Sequence, residues 1–287
     1  MKVADKLSKK IDINKHPLRL NKVVASATDS YLTPTYSFND PYLPGSHNPK
    51  YGQDISFASN RASPQNQSVG ENASDLKTKM KALLDIFADG DNSGVAKRLF
   101  EKYLKKQSHV VVFSDDSLNM SASRHSNIKE FCSRALSAPN SPFRTAGQVR
   151  IHQALKNANW DINKIVAPTN LGVPAFNLGS KLFSTQDFDN GLGLMINGVQ
   201  HVYVIATHYY YDKLNAKYYI KLRFVFYDVF GLDDEDLNEY GAKSDNWMSL
   251  SKASVGITAW WQLQHQHAYA PLVTRIVLEN SYEVPAK

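Results

Sequence analysis

Two neighbouring runs, VQHVYVIATHYYYD at 199–212 and KYYIKLRFVFYDVF at 217–230, constrain this chain more than any other feature. Both are rich in β-branched and aromatic residues, and the four residues between them have the length of a hairpin turn. Period-two counting of the second run puts Ile220, Leu222, Phe224, Phe226 and Phe230 on one face. Tyr219, Lys221, Arg223 and Tyr227 fall on the other. A face that apolar needs a covering layer, and helical periodicity elsewhere supplies candidates for it. Leu76, Met80, Leu83, Leu84 and Phe87 keep three-and-four spacing and predict a helix opening at Ser74 or Asp75. Further helices are predicted over 94–106, 126–137, 146–159 and 251–265, with strands at HVVVF (109–113) and within VTRIVLENSYEV (273–284). GLGLMIN (191–197) reads as an additional strand, followed by hairpin-turn chemistry at Asn197 and Gly198. The expected class is α+β: a helical part over 73–160 and an antiparallel sheet packed with helices over 161–287.

Residues 1–72 read differently. Six of the twelve prolines lie in the first 70 residues, mixed with Ser, Asn, Tyr and Gly and with no sustained period, which predicts a flexible, extended arm. Such an arm is either a strap lying along the body or a recruitment segment for a delivery apparatus or chaperone. The net charge of +6 lies in the first 110 residues: nine Lys/Arg against five Asp/Glu in residues 1–70 and eight against six in 71–110, but sixteen against sixteen after residue 110. A body without charge excess argues against a specific nucleic-acid function. No apolar run reaches the roughly 18 residues of a membrane span, and no apolar stretch follows the basic start MKVADKLSKKIDINKH, so no secretory signal peptide or transmembrane segment is expected. With Cys132 as the sole cysteine, no intramolecular disulfide is available.

The chemistry-bearing motifs are sparse. No HExxH, paired CxxC, GxSxG, Walker loop or GxGxxG is present. DGDNSG (89–94) imitates the start of a calcium loop, but its twelfth position is Phe100 rather than Glu, so a turn between antiparallel helices is the better account and no metal or cofactor is expected. Cys132 sits on an apolar helix face, which predicts a core residue, and His152 reads as a packed histidine. Asp187 and Asp189 read as loop acids. The acids of FVFYDVFGLDDEDL divide into two kinds. Asp233 and Asp236 have the spacing of a helix-capping pair, whereas Asp228 has the parity of the apolar face, where an isolated charge is costly. Asp228 is therefore the candidate acid or base, with His208, His265, Asp233 and Asp236 as candidate partners. Its alternative role is structural, bonding nearby backbone amides. Tyr227, Tyr210 and Trp261 are candidate substrate contacts, with Trp260 expected in the core and Trp261 lining a groove. His201 and His208, seven apart, are expected on opposite faces of a regular strand.

Three segments carry a resemblance: DNGLGLMINGVQHVYV, YDVFGLDDEDL and TAWWQLQHQHAYAPLVTRI. They resemble an enterobacterial family known only as a domain of unknown function and associated with type VI secretion and phage-like clusters, over about residues 150–287. The family pattern carries His where this chain has Val229. The resemblance implies a secreted antibacterial toxin-type effector, made without a signal peptide, delivered into target cells, and paired with a cognate immunity protein. The expected action is hydrolysis of a cell-envelope component. The alternative is a non-enzymatic module, an adaptor, chaperone or membrane-perturbing protein.

Overall fold

The computed structural model describes residues 18–29, 36–45, 47, 49–65, 71–136, 150–166, 168, 171–174, 176, 191–242 and 251–286. A five-stranded sheet organises them. Its strands are β1 (Leu18–Thr28), β4 (Val111–Phe113), β5 (His201–Asp212), β6 (Lys217–Phe230) and β7 (Leu272–Pro285), in the order β1-β5-β6-β7-β4. Neighbours pair antiparallel except β4, which runs parallel to β7. The α+β class is therefore as expected, with one parallel edge in the sheet. Two short strands, β2 (Tyr36–Ser37) and β3 (Lys50–Tyr51), pair with each other outside it.

Among the described residues, eight helices accompany the sheet: α1 (Ala73–Phe87), α2 (Ser93–Leu104), α3 (Asp116–Arg124), α4 (Ser126–Arg134), α5 (Arg150–Asn157), α6 (Leu192–Met195), α7 (Asp234–Tyr240) and α8 (Lys252–Gln266). Asn72, rather than Ser74 or Asp75, caps α1: its side-chain oxygen accepts from the amides of both, each at 3.0 Å. The helix buries Leu76, Met80 and Leu83 as the periodicity requires. It packs against α8 at Gly256, where an added Cβ would meet Leu83 Cδ2 at 2.7 Å, so the absence of a side chain sets the helix spacing. The turn expected at 89–94 does join α1 to α2.

The inner face of the sheet meets the helices. Ile220, Leu222, Phe224, Phe226 and Phe230 all sit in the main core, where Phe230 lies 4.2 Å from the Trp260 ring, centroid to centroid. Cys132 is buried, and burial pushes its thiol up to about 12, as befits a core residue. His152 is also in the core, bonded through Nδ1 to the Tyr218 hydroxyl at 2.9 Å.

The outer face holds the principal departure from the expected organisation. Residues 18–28 are not an arm but a sheet strand, and Leu43, Tyr51 and Ile55 form a second core with Ile205, Val225, Tyr227 and Val229. The strap alternative thus describes residues 36–45 and 49–61. Period-two counting missed β1 because two register shifts, between Arg19 and Lys22 and between Val23 and Ala25, break its alternation. GLGLMIN is likewise not a strand: Gly191 takes a left-handed φ of 84° and starts the short helix α6.

Candidate functional site

Asp228 lies at the closed end of β6, 7% exposed and facing inward as its parity predicted. It stands in register with Thr274 of β7, whose hydroxyl donates to the Met195 carbonyl at 3.2 Å. Its carboxyl accepts from the backbone amides of Asn197, at 3.2 Å, and of Val229. Those bonds favour the ionised form, yet burial and the nearby Asp54 carboxyl push Asp228 well above the usual carboxylate range.

Asp54 joins this site without any local signal in the chain to announce it. It belongs to a one-turn 3-10 helix, Gln53–Ile55, in the strap. Its Oδ2 accepts from Gln200 Nε2 at 2.5 Å, while Oδ1 and Gln200 Oε1 are buried with no hydrogen-bond partner among the described residues. Burial raises its carboxyl from 3.8 to about 7, with the Asp236 and Asp233 charges adding to the effect and the Gln200 bond opposing it. Two features hold the strap at this point. Gln264 of α8, fully buried, donates through Nε2 to the carbonyls of Asp54 at 2.8 Å and Ser56 at 2.6 Å. Gly231 leaves the space in which the Asp54 carbonyl sits; an added Cβ would overlap that oxygen.

Asp233 and Asp236 form the capping box that their spacing suggested. Asp233 Oδ1 accepts from the amides of Glu235 at 2.8 Å and Asp236 at 3.0 Å, and Asp236 Oδ2 accepts from the Asp233 amide at 3.1 Å. Capping does not leave Asp236 ordinary: burial raises it to about 6, and Asp233, Glu239 and Glu235 add to the rise. Three carboxyls from the strap, the end of β6 and the first turn of α7 therefore influence one another electrostatically at one end of the sheet.

The expected histidine partners are elsewhere. His208 pairs with Lys221, seven residues along β6 from Asp228, which is about 23 Å of strand, and it lies on the opposite face. A bulge between Ala206 and His208 also puts His201 and His208 on the same face, against the expectation for a regular strand. His265 is buried in α8. Its Nε2 donates to the Leu232 carbonyl at 2.8 Å, which leaves Nδ1 to accept from Arg61 Nη1 at 3.3 Å. This is the neutral ring, and burial lowers its pKa further against protonation. With both nitrogens engaged, His265 is a tie between the strap and α8 rather than a proton carrier.

The expected substrate contacts divide. Tyr210 is 42% exposed and stacks on Tyr219 at 6.0 Å. Tyr227 and Trp261 are fully buried, so neither lines an open groove. The Tyr227 hydroxyl donates to Asp40 Oδ2 at 2.9 Å, and Asp40, 3% exposed, also binds Arg275 Nη1 at 2.8 Å. Trp261 Nε1 donates to Asp234 at 3.1 Å, and Asp234 pairs with Arg61 at 2.5 Å. Both were expected at a surface because nothing in the sequence showed that the strap covers them. Asp187 and Asp189 lie outside the described residues, as do residues 1–17, the start of the segment expected to recruit a delivery partner.

Among the described residues, no group of three or more His, Cys, Asp or Glu is arranged to hold a metal ion, and no helix is long and apolar enough to cross a membrane. No family model matches the chain, and neither does any curated protein or any solved structure.

Proposed function

We propose that the chain is a toxin-type effector, secreted into target cells, that acts on a cell-envelope component by acid–base hydrolysis. The carboxyls of Asp228, Asp54 and Asp236 take the place of the expected Asp and His combination. The observation that carries this reading is the grouping of carboxyls from three separate segments, with Asp54 raised to about 7 and Asp236 to about 6. General acid–base chemistry works best when a group's pKa lies near the operating pH, and carboxyls whose environments push them apart can divide the acid and base roles. Asp228, which burial and the Asp54 carboxyl drive toward its protonated form, supplies the acid, and Asp54 is poised to exchange its proton. The effector setting, the delivery apparatus or chaperone and the cognate immunity protein rest on the resemblance of the three segments alone.

Expression of the full chain in the bacterial cytoplasm and, with a fused export signal, in the periplasm tests the reading. Growth should fail in the periplasmic arm and recover with Asp228→Asn or Asp54→Asn, each variant verified as folded. No toxicity in either compartment removes the effector reading. Toxicity retained by both folded variants favours the second reading, a non-enzymatic binding or membrane-perturbing module. A specific feature supports that alternative: the stack of exposed Tyr210 on half-buried Tyr219 shares its strands with Lys221 and Arg223.

A further inference from the structure

Among the described residues, a groove of about 360 Å³ lies where the sheet loses its last strand. β4 covers β7 only at Leu272, Val273 and Thr274, and beyond it the Val277 amide points away from β6 and donates to Asn119 Oδ1 at 2.9 Å. Antiparallel alternation then directs the N–H and C=O groups of Glu279, Ser281 and Glu283 outward as well. These three residues are exposed, and their outward amides have no partner among the described residues. The opposite wall of the groove is α4, contributing Ile128, Lys129, Cys132 and Ser133. Its floor is closed by Leu278 and by Tyr282, whose hydroxyl donates to the Cys132 carbonyl at 2.6 Å.

We propose that this groove binds an extended peptide segment of a partner protein, added as a strand to the open edge of β7 between β7 and α4. The walls select that occupant. One wall is a row of main-chain donors and acceptors without a partner among the described residues, a row that another extended backbone satisfies along its length. Alternate side chains of an added strand point toward the floor, where Ile128, Cys132 and Leu278 suit a small apolar residue. The charges at the rim set the sign of its polar residues. Glu279 is occupied, bonded to Lys221 at 2.5 Å and Arg223 at 2.9 Å, whereas Lys129 is exposed and has no ion-pair partner among the described residues. The segment therefore carries an acidic residue within reach of Lys129. A second copy of the chain offers a poorer fit, because its own β7 edge is already flanked by α4.

Selection of a displayed library of linear peptides on the full chain, followed by titration of a synthesised winner, tests the inference. Enriched sequences should combine a small apolar residue with a nearby acid, and binding should shift the amide resonances of Glu279, Ser281 and Glu283. Ser281→Pro, which removes an outward amide that β6 does not use, should weaken binding at least tenfold, as should the surface change Lys129→Glu. The library yielding no binder, or a binder indifferent to Lys129→Glu and leaving those resonances unmoved, overturns the proposal. Lys129→Glu is the decisive variant if Ser281→Pro reduces stability.

Discussion

The two halves of β6 have the same kind of sequence and different surroundings. From Lys217 to Arg223 exposure alternates residue by residue, with Tyr218, Ile220 and Leu222 buried and their neighbours partly open. From Phe224 to Phe230 every residue is buried. The change occurs where the strap covers the outer face, and it alters what a polar group means. In the open half, Lys217 pairs with Glu283, and Lys221 and Arg223 with Glu279, all in contact with solvent. In the closed half, the buried Asp40 accepts from Tyr227 and pairs with the half-buried Arg275, and Asp54, Asp228 and Asp236 are driven toward protonation. Losing an ion pair in the open half costs little, whereas leaving a charge unpaired in the closed half costs much more.

The largest effect that tests this contrast is Asp40→Ala. It leaves Arg275 without its buried partner and should destabilise the chain by about 3–5 kcal/mol in denaturant unfolding. A cost near that of a surface pair would mean that the strap does not close the outer face.

The pH dependence follows. Asp54 and Asp236 have raised folded-state values, about 7 and about 6, against 3.8 for an ordinary carboxyl. The folded chain therefore holds more protons than the unfolded chain between about pH 4 and 7, and its stability falls as pH rises through that window. The loss should amount to a few kcal/mol, since each tenfold change in proton affinity is worth about 1.4 kcal/mol. Asp54→Asn should flatten the decline in a series of melts from pH 5 to 8. A wild-type chain more stable at pH 8 than at pH 5 would contradict the carboxyl grouping.

Gly231→Ala probes the same end sterically. Its Cβ would press on the Asp54 carbonyl, and relief by backbone movement should cost roughly 1–3 kcal/mol, with faster proteolysis of the strap around residue 54. The smallest effect belongs to the open half: Lys217→Ala should change stability only slightly and should lose even that at high salt.

Much of this was legible in the sequence where the relevant physics is local. The inward parity of Asp228 came from period-two counting, and the Asp233 and Asp236 capping box from three-residue spacing. The helices α1, α2 and α8 came from apolar periodicity. Helix α3 escaped because Asn119, Met120, Ser121 and Ser123 leave it little apolar stripe. The positions of His208 and Trp261 were misjudged for a different reason. A one-residue bulge shifts every later side chain across the sheet, and the partners of Trp261 are Asp234 in α7 and Arg61 over its ring.

Local order along the chain was enough to show where most helices and strands form, which face of β6 is apolar, and that an acid sits on that face. It took the packing of distant segments to show that residues 18–28 complete the sheet and that residues 36–45 and 49–61 cover its outer face, which brings Asp54 toward Asp228 and Asp236. Those residues carry no period to announce their role, because a strap takes its conformation from the surface on which it lies. The pKa of a carboxyl depends on the water and charge around it in space, and neighbours in the chain specify neither.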